Sequence, residues 1–113
     1  MVSTHIEEQA SIVVASLRGE LTASQSEGFV EELHDHIDRE KPLVALDLSE
    51  VTLIDSTGLS LLMTLVSRAR LANGAVVLVS PTKFVRSIFA VTKLDTWFDM
   101  AESLDEAKEK LGV

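Results

Sequence analysis

The chain has no cysteine among its 113 residues, so disulfide bridges and thiolate metal sites are excluded. Only two prolines and no low-complexity tract interrupt it, which argues against a linker between domains. Its apolar runs are a few residues long, whereas a membrane-spanning helix needs about 20. The first residues lack the basic start and apolar stretch of a signal peptide. We therefore expect one cytoplasmic domain over residues 1–113.

Basic residues are scarce relative to acidic ones. Ten Lys and Arg stand against 18 Asp and Glu, which gives a net charge of −8. Direct binding of nucleic acid is not expected, because it needs a basic surface that displaces counterions from phosphates. An acidic chain is steered towards a partner with a basic patch, although acidity also serves solubility alone. Neither a nucleic acid nor a membrane is expected as a partner.

Patterns typical of enzymes are missing. Ser56 lies between a predicted strand and a predicted helix, but Ile54 stands where the Gly-x-Ser-x-Gly motif of hydrolases needs its first glycine. His5 lies near the N terminus, and the i, i+2 spacing of His34 and His36 does not place them on one helical face. Neither a glycine-rich phosphate loop nor a metal-ligand pattern is present. We predict no enzymatic activity, no metal and no cofactor.

Apolar runs alternate along the chain with signals for helix starts. The predicted strands are the alternating residues Val2-Thr4-Ile6, then Ser11–Leu17, Leu43–Leu48, Ala75–Val79 and Trp97-Phe98. The first predicted helix begins near Thr22 or Ser24, and the second begins near Ser56 or Thr57 and lasts to about Ala72. The third has Ser80 as its N-cap and Pro81 at its first position, and the fourth begins at Ser103 with Glu106 as its capping box. This alternation predicts an α/β domain with a mainly parallel central sheet, an antiparallel N-terminal strand pair and about four helices.

The most distinctive turn is Ile54–Leu59, which places an acid, two hydroxyls and a glycine at the entry to a helix. Ser56 and Thr57 could simply cap that helix, and Gly58 could ease a tight turn or a close approach to a strand. Apolar residues cover about half of the helix circumference, wider than the ~100° stripe of a surface helix. Either packing inside the domain or an exposed docking face would explain the width of this apolar surface. The polar strip with Ser60, Thr64, Ser67 and Arg68 is expected to face solvent.

The sequence around this turn resembles the signature of STAS domains, specifically of anti-sigma-factor antagonists. The resemblance covers nearly the whole chain. It rests on Leu46–Ser49, Ile54–Leu59, Gly19-Glu20-Leu21, Asn73-Gly74 before Ala75–Val79, Trp97-Phe98 and the capped final helix.

The resemblance implies a partner switch. An unmodified antagonist of this family binds an anti-sigma factor, which is also a serine kinase of the histidine-kinase-like ATPase type, and so frees a sigma factor. The kinase phosphorylates the hydroxyl directly after the aspartate, here Ser56, and a serine phosphatase resets the switch. The implied partner-binding residues are Glu20, Thr22, Asp55, Ser56, Thr57, Gly58 and Leu59.

One residue departs from the family pattern, since many relatives have aspartate after Gly-Glu-Leu where this chain has Thr22. The family also contains STAS domains that do not switch. These are subunits of lipid-transport ATPase complexes and scaffold proteins of stress complexes, and they remain the alternative to a switch controlled by Ser56.

Overall fold

The computed structural model describes residues 3–9, 12–23, 32–33, 35–37 and 40–113. Five strands form one sheet: β1 (Ser3–Gln9), β2 (Ile12–Leu21), β3 (Leu43–Ile54), β4 (Ala75–Val79) and β5 (Asp99–Ala101). In the described ranges, helix α1 includes residues 32–33 and 35–37, followed by α2 (Ser56–Leu71), α3 (Lys83–Val91) and α4 (Leu104–Leu111).

The strands lie in the sheet in the order in which they occur in the chain. β1 pairs with β2 in antiparallel fashion, and all the other pairs are parallel. The predicted α/β fold with an antiparallel N-terminal pair is therefore confirmed. Right-handed crossovers between successive neighbours place their helices on one face of the sheet. Accordingly α1, α2 and α3 share one face, and α4 covers the other.

Two apolar layers hold the helices to the sheet. The larger layer joins alternate residues of the strands to α1, α2 and α3, and its largest fully buried side chains include Leu33, Ile37, Leu46, Leu62 and Phe89. The smaller layer packs α4 against the opposite face through Ala45, Val77, Ala107 and Leu111. Alternation along the strands directs successive side chains into these two layers, which is why residues 43–48 and β4 are almost wholly apolar.

Both central strands extend further than their apolar runs predicted. β3 continues past Leu48 to Ile54, and β2 continues past Gly19 to Leu21, because these extensions pair with each other. The extensions carry polar side chains as well, and Arg18 bonds Glu50 across the pair at 2.7 Å. A strand that is exposed on one face is not marked by an unbroken apolar run.

Two predictions near the C-terminal third were wrong. Helix α3 is capped by Thr82, whose hydroxyl accepts a hydrogen bond from the Val85 N–H at 3.2 Å, and not by Ser80. Ser80 instead adopts a positive φ of 49° and donates its hydroxyl hydrogen bond to the Glu102 carbonyl. The last strand begins at Asp99, because Trp97-Phe98 forms a turn that packs its rings inward near Phe89.

Other boundaries agree with the sequence. The Ser103 hydroxyl accepts from the Glu106 N–H at 3.2 Å, which confirms the cap of α4. Helix α2 ends at Leu71, close to the predicted end at Ala72. The predicted start of α1 near Thr22 or Ser24 lies largely outside the described residues, whereas Leu33 and Ile37 of the same helix are buried.

The connection from α2 to β4 leaves no space for a side chain at Gly74. A Cβ atom there would lie 1.9 Å from the Pro42 carbonyl oxygen. The same carbonyl accepts from the Ala75 N–H at 2.8 Å, and the Gly74 N–H donates to Ala69 at 2.7 Å. These bonds fix the backbone of Gly74 and Ala75 against Ala69 and Pro42, where the chain leaves α2 and enters β4.

We predict that Gly74→Ala lowers the free energy of unfolding by about 2–3 kcal/mol, because the added methyl group overlaps backbone atoms that cannot move independently. The matched control is Gly112→Ala. Gly112 has a positive φ of 79°, and no atom lies within 4 Å of a Cβ added there. Gly112→Ala is therefore expected to lower the free energy of unfolding by only about 1 kcal/mol, through backbone strain. Urea unfolding followed by circular dichroism measures both. Equal losses in the two variants would contradict this account of Gly74.

Candidate functional site

The turn between β3 and α2 lies at the carboxyl edge of the parallel strands, where partners of open α/β sheets tend to bind. Leu21 at the end of β2 pairs with Ile54 at the end of β3. The segment that follows β2 therefore lies beside the turn that follows β3. The sheet brings Glu20 and Thr22 to the same edge as residues 55–59, as a shared partner surface requires.

Asp55 is the N-cap of α2. Its backbone is extended, with φ −107° and ψ −175°, and its carboxylate accepts from the Gly58 N–H at 2.9 Å. The prediction that Ser56 or Thr57 caps the helix was wrong in position by one or two residues. Both are the first residues inside the helix, because the aspartate before them provides the stronger acceptor.

The Asp55 carboxylate also reaches the neighbouring segment. Its second oxygen accepts from the Ala23 N–H at 3.3 Å, and the Asp55 N–H donates to the Leu21 carbonyl at 3.3 Å. One side chain therefore ties the first turn of α2 to the end of β2. Ala23 was not recognised as part of the site from the sequence, because a main-chain donor leaves no sequence signal.

These bonds stabilise the charged form of Asp55. The hydrogen bond from the Gly58 N–H lowers the pKa of the carboxyl below its ordinary value. Desolvation opposes this shift, and the bond from the Ala23 N–H makes a smaller contribution in the same direction as that from Gly58. The carboxylate is therefore ionised at neutral pH. The residue beside Ser56 carries a permanent negative charge.

Ser56 is exposed, and its hydroxyl makes no hydrogen bond to any described residue. Thr57 is exposed as well. Since Asp55 caps the helix, a capping role no longer accounts for the serine. The site presents a solvent-accessible hydroxyl on the first turn of a helix.

Gly58 has a packing role in this turn. It is buried, and a Cβ atom on it would lie 2.0 Å from the Leu21 carbonyl oxygen. Its backbone therefore touches the end of β2, as the interpretation of a close helix–strand approach predicted. Any side chain here would push the first turn of α2 away from the sheet.

Most of the broad apolar face of α2 is buried within the domain. Leu62, Leu65, Val66 and Ala69 are buried, whereas Leu59, Leu61 and Met63 are half-buried. Packing thus explains most of the width. Leu59, which packs partly on the core, lies close enough to Ser56 to contribute apolar surface at the site.

The polar strip of α2 is only partly solvent-facing. Ser60 and Thr64 are exposed as predicted, whereas Ser67 and Arg68 are half-buried. Together with Met63 they line an open groove of about 390 Å³. Leu53, which pairs with Glu20 at the carboxyl edge, is 38% exposed and was not singled out from the sequence.

Two of the three histidines lie in the described ranges, each near a glutamate of β1. His5 contacts Glu7 at 3.1 Å on β1, and His36 of α1 lies 4.0 Å from Glu8. His34 lies outside the described residues. Within the described ranges, no three metal-ligating side chains come together. No helix among these residues is long and apolar enough to cross a membrane.

Comparison with known proteins agrees with this geometry. Over 96 residues the chain is 27% identical to BtrV of Bordetella bronchiseptica, a candidate anti-sigma factor antagonist by name, covering 85% of this chain and 83% of that protein. An anti-sigma factor antagonist from Mycobacterium paratuberculosis has the same fold, with a TM-score of 0.88 at 22% identity, over 100% of this chain and 96% of that one.

The antagonist SpoIIAA in its unphosphorylated form also shares the fold, with a TM-score of 0.80 at 20% identity and 98% coverage of both chains. The model of the STAS domain family matches residues 3–107. The strand order, the turn at Asp55 and the extent of this match lead to one assignment: the chain belongs to the STAS domain family.

Proposed function

We propose that the protein is an anti-sigma-factor antagonist whose binding is controlled at Ser56. In its unmodified form it binds a cognate anti-sigma factor, a serine kinase of the histidine-kinase-like ATPase type, and so frees a sigma factor in the cytoplasm. Phosphorylation of Ser56 releases it, and a serine phosphatase restores it. The observation that carries the proposal is the exposed Ser56 hydroxyl, directly after the aspartate that caps α2.

Relatives support this assignment in two ways. The name of BtrV describes an anti-sigma factor antagonist, and its alignment spans most of both chains. SpoIIAA has been solved in an unphosphorylated and in a phosphorylated form. Family membership alone also fits a STAS domain that does not switch. Phosphorylation of Ser56 is the property that distinguishes a switching domain from a non-switching one.

The local structure can accept a phosphate without unfolding. A helix N-terminus offers unpaired N–H groups and a favourable dipole to an anion. Asp55 already occupies the Gly58 N–H, and its carboxylate repels a second anion. The phosphate, which carries about −1.5 to −2 charges, is therefore expected to point outwards into solvent rather than into the turn.

The same phosphate would disrupt a protein interface built on this turn. An unpaired charge buried at an interface costs on the order of 3–5 kcal/mol. At about 1.4 kcal/mol per decade, this cost weakens binding by roughly two to three and a half orders of magnitude. A local charge thus switches the partner without refolding the domain, and the protein itself needs no catalytic group.

The partner surface comprises Asp55, Ser56, Thr57, Gly58 and Leu59, flanked by Glu20 and Thr22. Charges near water are screened within about 10 Å, so a switch that acts through charge must lie in or beside the interface. The carboxylates at this edge favour a partner with basic residues facing them. Gly58 contributes by shaping the turn, since it is itself buried.

We predict that Ser56, and not Thr57, accepts phosphate from the kinase. Incubation of the chain with candidate histidine-kinase-like ATPases of the same organism and ATP, followed by peptide mass spectrometry, locates the modification. Ser56→Ala should abolish it, and the matched variant Thr57→Ala should retain it. Phosphate found only on Thr57 would refute the acceptor. No transfer to Ser56 from any of these ATPases would favour the non-switching alternative.

We predict that Ser56→Asp weakens binding of the anti-sigma factor by at least about tenfold, because one carboxylate supplies part of the charge of a phosphate. Ser56→Ala should bind like the wild type. The matched control is Asn73→Asp, which adds the same charge at the exposed position before β4, at the opposite edge of the sheet. Isothermal titration calorimetry measures the three affinities. Equal affinities for wild type and Ser56→Asp would contradict release by charge.

We predict that Asp55→Ala lowers the urea midpoint of unfolding, whereas Ser56→Ala changes stability by no more than about 0.5 kcal/mol. The reason is that Asp55, and not Ser56, bonds the Gly58 and Ala23 amides. Because folding lowers the pKa of Asp55, its contribution is complete above the ordinary aspartate pKa and is lost as pH falls through the lowered value. A larger loss in Ser56→Ala would assign the cap to the serine.

A further inference from the structure

One edge of the sheet is long and regular. β1 pairs with β2 over seven residues with no register shift, and no described residue pairs with its outer side. At the other edge, β5 is only three residues long, and Lys110 donates to its Met100 carbonyl. An unpaired, bulge-free edge strand is a template for another strand.

The pairing with β2 determines which main-chain groups of β1 point outwards. Gln9 and Ile12 face each other with only two residues between them, and such a closing pair exchanges both of its hydrogen bonds. Hydrogen-bonded and non-hydrogen-bonded pairs then alternate along the strands. His5 and Glu7 therefore bond β2, whereas the N–H and C=O groups of Ile6 point away from the sheet.

The outward groups of Thr4, Ile6 and Glu8 allow several antiparallel registers for a second copy of β1, and side-chain charge and paired length distinguish them. A register centred on Glu7 or Glu8 sets two identical carboxylates opposite each other, which is destabilising. One centred on Thr4 or His5 leaves two or more residues of the strand without a partner. The register centred on Ile6 pairs all seven residues of β1 and sets no like charges opposite each other.

The side chains of β1 are complementary in that register. Residues whose numbers sum to 12 lie opposite each other, so Ile6 meets Ile6, and His5 meets Glu7 of the second copy. Ile6 is half-buried and packs against the core, so a second Ile6 would extend that apolar contact. His5 and Glu7 are exposed on the other face, and His5 Nε2 already lies 3.1 Å from Glu7 Oε1 within one chain.

We propose that two copies of this chain associate through β1, in antiparallel pairing about Ile6, to form a continuous ten-stranded sheet across a two-fold axis. The contact is short and polar, so the dimer is of the weak, concentration-dependent class. β3 lies about 10 Å from β1, at two strand spacings, and both Asp55–Leu59 turns remain accessible. The dimer thus presents two copies of the candidate partner surface, whether or not Ser56 is phosphorylated.

The first test is the oligomeric state of the full chain. Sedimentation velocity in 150 mM salt, which screens repulsion between two acidic chains, should show a shift towards dimer from about 10 µM to about 1 mM. Ile6→Pro removes an outward N–H, which an edge strand tolerates, and should remain monomeric. Circular dichroism verifies its fold. A wild type that stays monomeric, or a folded Ile6→Pro that dimerises equally, would overturn the proposal.

The second test addresses the register. His5→Glu, at an exposed position, places like charges opposite each other twice and should raise the dissociation constant about fivefold or more. Combining it with Glu7→Lys restores opposite charges and should restore dimerisation. The control Thr96→Glu adds one charge at an exposed site outside β1 and should have no effect. Equal effects of His5→Glu and Thr96→Glu would rule out the register centred on Ile6.

Amide exchange tests the same geometry without mutation. The Ile6 amide should gain protection as protein concentration rises, because only the second copy bonds it. The His5 and Glu7 amides should be protected at every concentration, because β2 bonds them. The reverse pattern would assign the opposite set of main-chain groups to the outer edge and would overturn the pairing about Ile6.

Discussion

The carboxylate of Asp55 is the contact on which the candidate site depends. It caps α2 through the Gly58 N–H and holds the end of β2 through the Ala23 N–H. Without it, the helix start and the neighbouring segment would each need another acceptor for a free donor. With it, Ser56 lies in the first turn of α2, and its hydroxyl is not used for capping. The position of Ser56 thus depends on the hydrogen bonds of Asp55 and not on hydrogen bonds of its own.

Two glycines, one at each end of α2, allow the chain to approach the neighbouring backbone closely. Gly58 touches the Leu21 carbonyl, and Gly74 touches the Pro42 carbonyl, at the two ends of the unit formed by α2 and its flanking strands. The chain therefore packs closely against the sheet region at the start of α2 and immediately after its end. Between these points the buried leucines of α2 fill the core. A rigid helix start suits a charge switch, because the effect of a charge falls steeply with distance in water.

The alternation of elements and the sheet type could be predicted from the sequence, because apolar periodicity reflects burial directly. Three details could not. The cap shifted to Asp55 because the Asp-Ser-Thr run offers three candidate acceptors, and only the fold decides which backbone is extended. β3 extended to Ile54 because pairing with β2, and not hydrophobicity, defines its end. The Ala23 contact joins segments 32 residues apart and involves a main-chain amide that every non-proline residue has.

The carboxyl edge of β3 and the outer edge of β1 suit different kinds of contact. At the first, side chains and a helix start create a surface whose charge the proposed phosphorylation of Ser56 would change. At the second, main-chain groups dominate, and the side chains only select the register. Because the two lie on separate strands, a change at one need not disturb the other. A domain of this size could therefore combine the proposed self-association with the proposed partner switch, since strand pairing leaves the helix starts at the carboxyl edge exposed.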